Sequence, residues 1–221
     1  MMAKKETFGG SAKTGASLLS GIERKLVQKY VSYIPPWLET YHLTLLTILW
    51  SLLIIAFSYL ARSDIKWLWL VSLCIILQYI SDLFDGAVGR YRDTGLVKWG
   101  YYMDHFLDYV FLCSVLIGYS LILPGNFYLL FFILAIFGAF MVNSYLSFAA
   151  TNEFKIAYLK IGPTEVRIIF IIINTSLIMF GRIYMAKALP YILILSLLGL
   201  CVVVYRTQSY IWGIDMANKK K

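Results

Sequence analysis

The 221-residue chain is 60% hydrophobic and only 14% charged, which is far too apolar for a soluble domain and makes it an integral membrane protein. Its formal net charge of +8 would suggest nucleic acid in a soluble chain, but here the Lys and Arg residues gather between apolar runs, so they read as topology signals and as attraction for anionic lipid headgroups, not for nucleic acid. Cys74, Cys113 and Cys201 stand alone in separate apolar runs without C-x-x-C spacing, which excludes a disulfide framework or a zinc site.

Residues 1–15 are small and polar, with Lys4, Lys5 and Lys13 and no periodicity, and a disordered tail is expected there. The first forty residues contain no apolar core of the kind a cleavable signal peptide needs. From about residue 16 to 34, Leu18, Leu19, Ile22, Leu26, Tyr30 and Tyr33 recur at three- and four-residue steps while Arg24, Lys25 and Lys29 lie off that stripe. This predicts an amphipathic helix in the membrane interface or on the protein's own flank, within a segment 16–36 that Pro35 and Pro36 end.

Six apolar runs follow at about 42–61, 67–87, 97–122, 127–150, 164–183 and 189–210, each near the ~20 residues that span a bilayer. They predict an all-α membrane domain over 37–212 with a basic tail at 213–221. The short loops between the first and second, third and fourth, and fifth and sixth runs predict antiparallel neighbours in one bundle. Arg62, Lys66, Arg182 and Lys187 fall on one side and the remaining sixteen Lys and Arg on the other, so both termini are expected on the cytoplasmic side.

The stretch between the second and third runs carries the chemistry. It reads Asp82-x2-Asp85-Gly86-x2-Gly89-Arg90-x9-Gly100-x3-Asp104-x3-Asp108. Residues at i,i+3 or i,i+4 share a helix face, so two facing helices would gather four carboxylates into one pocket at the cytoplasmic edge of the bilayer. Like charges that close together in apolar surroundings need a positive partner. Hard divalent cations take oxygen ligands shared with substrate phosphates, and two of them can stabilise both attacking and leaving oxygens. A two-metal phosphoryl-transfer site is therefore expected, with Gly86 and Gly89 where a ligand or backbone comes close, Gly100 on the face of Asp104, and Arg90 as a planar fork for phosphate.

This pattern resembles the signature of the CDP-alcohol phosphotransferase family of phospholipid synthesis, D-x2-D-G-x2-A-R-x8 or x9-G-x3-D-x3-D, with Gly89 standing where the family usually has Ala. The resemblance implies a six-helix transmembrane enzyme, commonly a homodimer, that moves a phosphatidyl or phospho-alcohol group from a CDP-linked donor to an alcohol and releases CMP. It implies that Asp82, Asp85, Asp104 and Asp108 hold one or two Mg²⁺ or Mn²⁺ ions. Asp82, Asp85, Gly86, Gly89, Arg90 and Gly100 would serve the CDP donor, and Asp108 would take the proton of the acceptor hydroxyl.

Direction stays open at this stage. His105 beside Asp104, which could also tune a proton transfer, and Gly162-Pro163-Thr164-Glu165 resemble the choline and ethanolamine branch, in which diacylglycerol is the acceptor. Lys160, Arg167 and Arg206, at the cytoplasmic ends of the last spans, fit an acceptor pocket of the branch that uses CDP-diacylglycerol and a polar alcohol. The alternative from a different class is an ion or proton transporter or channel. It predicts polar residues continuing across the membrane, and the spans show little beyond Ser and Thr.

Overall fold

The computed structural model describes residues 13–14, 18–94, 96–123, 125–155 and 162–219. Helices α1 (Ser20–Tyr30), α2 (Thr40–Leu60), α3 (Leu68–Arg92), α4 (Val97–Ile122), α5 (Phe127–Thr151), α6 (Pro163–Phe180) and α7 (Arg182–Lys219) follow one another. The last six are each long and apolar enough to cross a membrane. The protein is thus a multi-pass, all-α integral membrane protein with an N-terminal helix beside six spans. Two-residue strands β1 (Lys13–Thr14) and β2 (Phe154–Lys155) pair in parallel. Apart from Lys13 and Thr14, the tail expected to be disordered lies outside the described residues.

Local chemistry sets most helix ends. Asp93 and Asn152 take left-handed backbone angles after α3 and α5, a conformation that Asp and Asn tolerate and that stops a helix. Pro163 opens α6, where its missing N–H costs nothing, and Glu165 reaches back to the Gly162 amide at 2.8 Å as in a capping box. At the opposite end of the bundle, Arg182 donates to the terminal carbonyls of Ala61 and Arg62 at 2.9 and 2.8 Å, which suits the negative end of α2.

The outer faces of the spans are largely apolar, and small polar residues turn inward on α2, which suits helix packing in lipid. Along α2, Thr40, Thr44, Thr47, Ser51 and Ser58 are buried, whereas Leu45, Ile48, Leu49 and Leu52 are exposed. These small residues let α3 and α4 pack closely on α2. At the tightest point a Cβ on Gly118 of α4 would lie 2.9 Å from the Ser58 Cβ. Ile54, Leu68, Ile75, Ile122 and Leu177 are fully buried at the centre.

The neighbours expected from the short loops do touch, but for the last two spans the chief partners lie elsewhere. α6 packs chiefly on α3, and α7 chiefly on α5. The reason is polar. Asn174 donates to Ser72 of α3 at 3.0 Å and accepts from Tyr119 of α4 at 3.0 Å, and Arg167 reaches α3 as well. Buried polar groups in apolar surroundings dock where partners exist.

The end of the bundle where α3 stops and α4 starts also holds α1, the turn into α2 and the start of α6. Arg92 pins it together, donating to the carbonyls of Ile34, Pro35, Pro36 and Leu38 at 2.9–3.3 Å and lying 3.6 Å from Glu39.

Candidate active site

α3 and α4 bring their carboxylates to one place. Asp82, Asp85 and Asp104 can each offer an oxygen within 4.8 Å of the others, and Asp104, His105 and Asp108 form a second such group. The two groups share Asp104. The helical spacing does this: Asp82 and Asp85 are one turn apart on α3, Asp104 and Asp108 one turn apart on α4. The carboxylate oxygens fit a hard divalent cation such as Mg²⁺ or Mn²⁺.

Each aspartate is held. Asp85, 7% exposed, accepts from Thr44 of α2 at 3.0 Å and from the amide of Gly86. Arg167 of α6 enters from the other side. Its Nη2 lies 3.0 Å from Asp82 and 2.9 Å from Asp108, and its Nε donates to Gln78 at 2.7 Å. At 4% exposure, this guanidinium is the internal counter-charge of the carboxylates. The fork geometry suits such bridging better than an ammonium would. Gln78, fully buried one turn before Asp82, keeps its Nε2 without a partner among the described residues.

His105 lies with its Nδ1 3.5 Å from Asp104. Its ring is packed against Tyr101 and Phe154 at 4.7 Å between centroids, and the Tyr145 hydroxyl donates to its carbonyl at 3.3 Å. The ring is therefore oriented by an aromatic wall beside the carboxylates.

Two cavities adjoin the aspartates and share no lining residue. The first, about 290 Å³, is lined by Thr40, Asp85, Gly86, Gly89, Arg90, Asp93, Gly100, Asp104 and His105 among others. It is the more polar of the two and glycine-lined, with Leu96, Val97 and Tyr101 also in its wall and exposed Arg90 and Asp93 at its rim. Gly89 also sets how close α3 comes to α2, since a Cβ there would stand 3.0 Å from the Thr40 hydroxyl. The second, about 390 Å³, has Asp108 and Arg167 in its wall and is otherwise lined mainly by apolar residues of α4 to α7, including Phe111, Phe140, Val166, Phe170 and Val203. Exposed Ile169 and Leu195 border it, so it opens on the apolar flank of the bundle.

Of the residues expected to act, the structure gathers Asp82, Asp85, Asp104, His105, Asp108 and Arg167, and puts Gly86, Gly89, Arg90 and Gly100 around the polar cavity. Glu165 sits at the start of α6 bonded to the amides of Gly162 and Leu19. Arg206 is exposed on α7, two turns past Gly199 and outside the lining of both cavities. Lys160 lies outside the described residues. Sequence reasoning missed Thr40, Thr44 and Gln78. The signal was present in the three- and four-residue recurrence of Thr and Ser along α2, and in the place of Gln78 one turn before Asp82.

The sequence profile described as CDP-alcohol phosphatidyltransferase matches residues 40–205. Comparison with curated proteins and with solved structures returned no match. The profile spans α2 through most of α7, including both aspartate pairs, and the chain belongs to this family of phosphate-group transferases of phospholipid biosynthesis.

Proposed function

We propose that the protein transfers the phospho-alcohol group of a CDP-linked amino alcohol, such as CDP-choline or CDP-ethanolamine, to the hydroxyl of a membrane lipid such as diacylglycerol, releasing CMP. The observation that carries this direction is the apolar cavity at Asp108. With Asp108 as the base, a lipid alcohol seated there presents its hydroxyl to that carboxylate, which supports the apolar partner as the acceptor. The polar cavity at Asp85, Gly86, Gly89 and Arg90 suits the water-soluble donor.

Asp82, Asp85, Asp104 and Asp108 would hold one or two divalent cations, Mg²⁺ or Mn²⁺, whose chemistry there is to neutralise the pyrophosphate and polarise the phosphoryl oxygens. The chain's own residues do the rest. Arg90 and the glycine-lined wall receive the nucleotide diphosphate. Asp108 takes the proton from the acceptor hydroxyl, and the acceptor oxygen bonds to the β-phosphorus. The bond from that phosphorus to the bridging oxygen breaks, and CMP leaves with the electron pair. His105, fixed by its aromatic wall next to Asp104, assists the proton's movement. Arg167 keeps Asp82 and Asp108 in register, so positioning and charge stabilisation supply the acceleration.

The reverse assignment, CDP-diacylglycerol with a polar alcohol, has one observation in its favour: the Arg167 cation borders the apolar cavity. Under it, Lys160, Arg167 and Arg206 serve the acceptor, whereas Glu165 belongs with the diacylglycerol acceptor of the first assignment. Sixteen of the twenty Lys and Arg lie on one side of the spans, which supports a cytoplasmic site and cytoplasmic termini. The family resemblance supports a homodimer.

The test is CMP release by the protein in nanodiscs with Mg²⁺ or Mn²⁺, with CDP-choline or CDP-ethanolamine plus diacylglycerol in one arm and CDP-diacylglycerol plus a panel of polar alcohols in the other. Release in the first arm alone supports the proposed direction, and release in the second alone reverses it. No release in either arm from folded, metal-binding protein would count against transfer and favour ion-flux assays.

A further inference from the structure

α1 is inside out for a helix packed on a protein. None of its residues is buried, and Ile22, Leu26 and Tyr30 are exposed, as are flanking Leu18 and Tyr33. Arg24, Lys25 and Lys29 are exposed as well. What the helix turns toward the bundle is a carboxylate. Glu23 Oε1 accepts from the hydroxyl of Tyr79 on α3 at 3.2 Å and from that of Thr164 on α6 at 2.5 Å. Just ahead of the helix, the Leu19 amide donates to Glu165 at 3.3 Å.

Those two hydroxyls belong to the helices that carry Asp82 and its counter-charge Arg167. Tyr79 stands three residues before Asp82, and Thr164 three before Arg167. The Glu23 carboxylate thus ties α3 to α6 within a turn of Asp82 and of Arg167, the residue that bridges Asp82 to Asp108. A helix docked by a few hydrogen bonds and no buried apolar residue is weakly held by the protein. Its outer face combines apolar side chains with three cations, which matches an anionic leaflet. Each cation favours such a surface by about fivefold.

We propose that α1 reads the charge of the leaflet it lies on and passes it to the site. An anionic headgroup surface seats the outer face, the seated helix keeps Glu23 between Tyr79 and Thr164, and Glu23 thereby acts as a positioning residue for the Asp82–Arg167–Asp108 bridge. The activity readout of this inference rests on the phosphotransfer proposed above. The seating itself is read without it.

The full chain is placed in nanodiscs of phosphatidylcholine alone or mixed with phosphatidylglycerol. CMP release and hydrogen-exchange protection of residues 18–33 are measured for wild type, Glu23→Ala, Glu23→Gln and the triple variant Arg24→Gln, Lys25→Gln, Lys29→Gln. With phosphatidylglycerol, the wild type is expected to gain protection in α1 and to rise several-fold in kcat, with the KM for the nucleotide donor unchanged. Glu23→Gln, whose amide oxygen still accepts both hydroxyls, keeps the response. Glu23→Ala loses the kcat gain, and the triple variant loses the protection gain. A Glu23→Ala protein that responds like wild type overturns the coupling, and α1 protection indifferent to phosphatidylglycerol overturns the seating. Absence of CMP release in every membrane overturns the phosphotransfer reading and the coupling with it, while the exchange measurement still decides the seating.

Discussion

At the scale of single residues, the site is an arrangement of charges whose members are unequal. Asp108 both anchors Arg167 and faces the apolar cavity. Asp108→Asn keeps the size and removes the proposed proton acceptor, so CMP release should fall by about 10²–10⁴-fold while the protein elutes as the same species in gel filtration. Arg167 is a different case, because its role is internal. Arg167→Met strands two carboxylates and Gln78, and breaking a buried ion pair from one side costs about 3–5 kcal/mol. A lowered thermal midpoint in detergent checks this, and Arg167→Lys should recover only part of it, since an ammonium cannot copy the fork. The aspartates were legible in the sequence because both pairs follow the helical repeat and the glycines mark the same stretch. The role of Arg167 was not. Its bond to Gln78 joins residues 89 apart, and no spacing rule links an Arg at the start of the fifth span to a Gln in the second.

At the scale of helices, α2 organises the bundle through what it lacks. Its small polar stripe lets α3 and α4 approach, and Gly118 completes the fit at Ser58. Gly118→Val would force the helices apart and should destabilise the protein by about 1–3 kcal/mol, as overpacking does, again read from the thermal midpoint. Thr44→Val tests the same helix nearer the site. It removes one hydroxyl that donates to Asp85, and a hydrogen bond to a charged group contributes about 1.5–3 kcal/mol. The expected readout is weaker Mn²⁺ binding by calorimetry. Element positions were largely legible, because apolar runs of spanning length leave little choice. The lengths were less so. The last run fades near residue 210, yet α7 continues to Lys219, because a helix that has left apolar surroundings keeps its backbone bonds without needing apolar side chains. Which helices pair was least legible: α6 is drawn to α3 by Arg167 and Asn174, and such polar matches depend on depth, which sequence order does not give.

At the scale of the whole molecule, the carboxylates stand between a polar chamber and an apolar one. Chelating the divalent cations with EDTA should abolish CMP release, and adding Mg²⁺ or Mn²⁺ back should restore it. Gly199→Leu on α7 projects a side chain into the apolar cavity near Phe140. It should raise the KM for the lipid substrate several-fold and leave that for the water-soluble substrate unchanged, which steady-state kinetics in mixed micelles can separate.

The mouths of those chambers open on different phases, one past Arg90 and Asp93, the other between Ile169 and Leu195. A molecule arriving by the first is counted per volume, and one arriving by the second per area of bilayer. Spreading the same number of reactive lipids over more inert membrane therefore starves one entrance and leaves the other untouched. At a fixed concentration of the water-soluble substrate, turnover in such a protein has a two-dimensional dilution curve that a change of sample volume does not move.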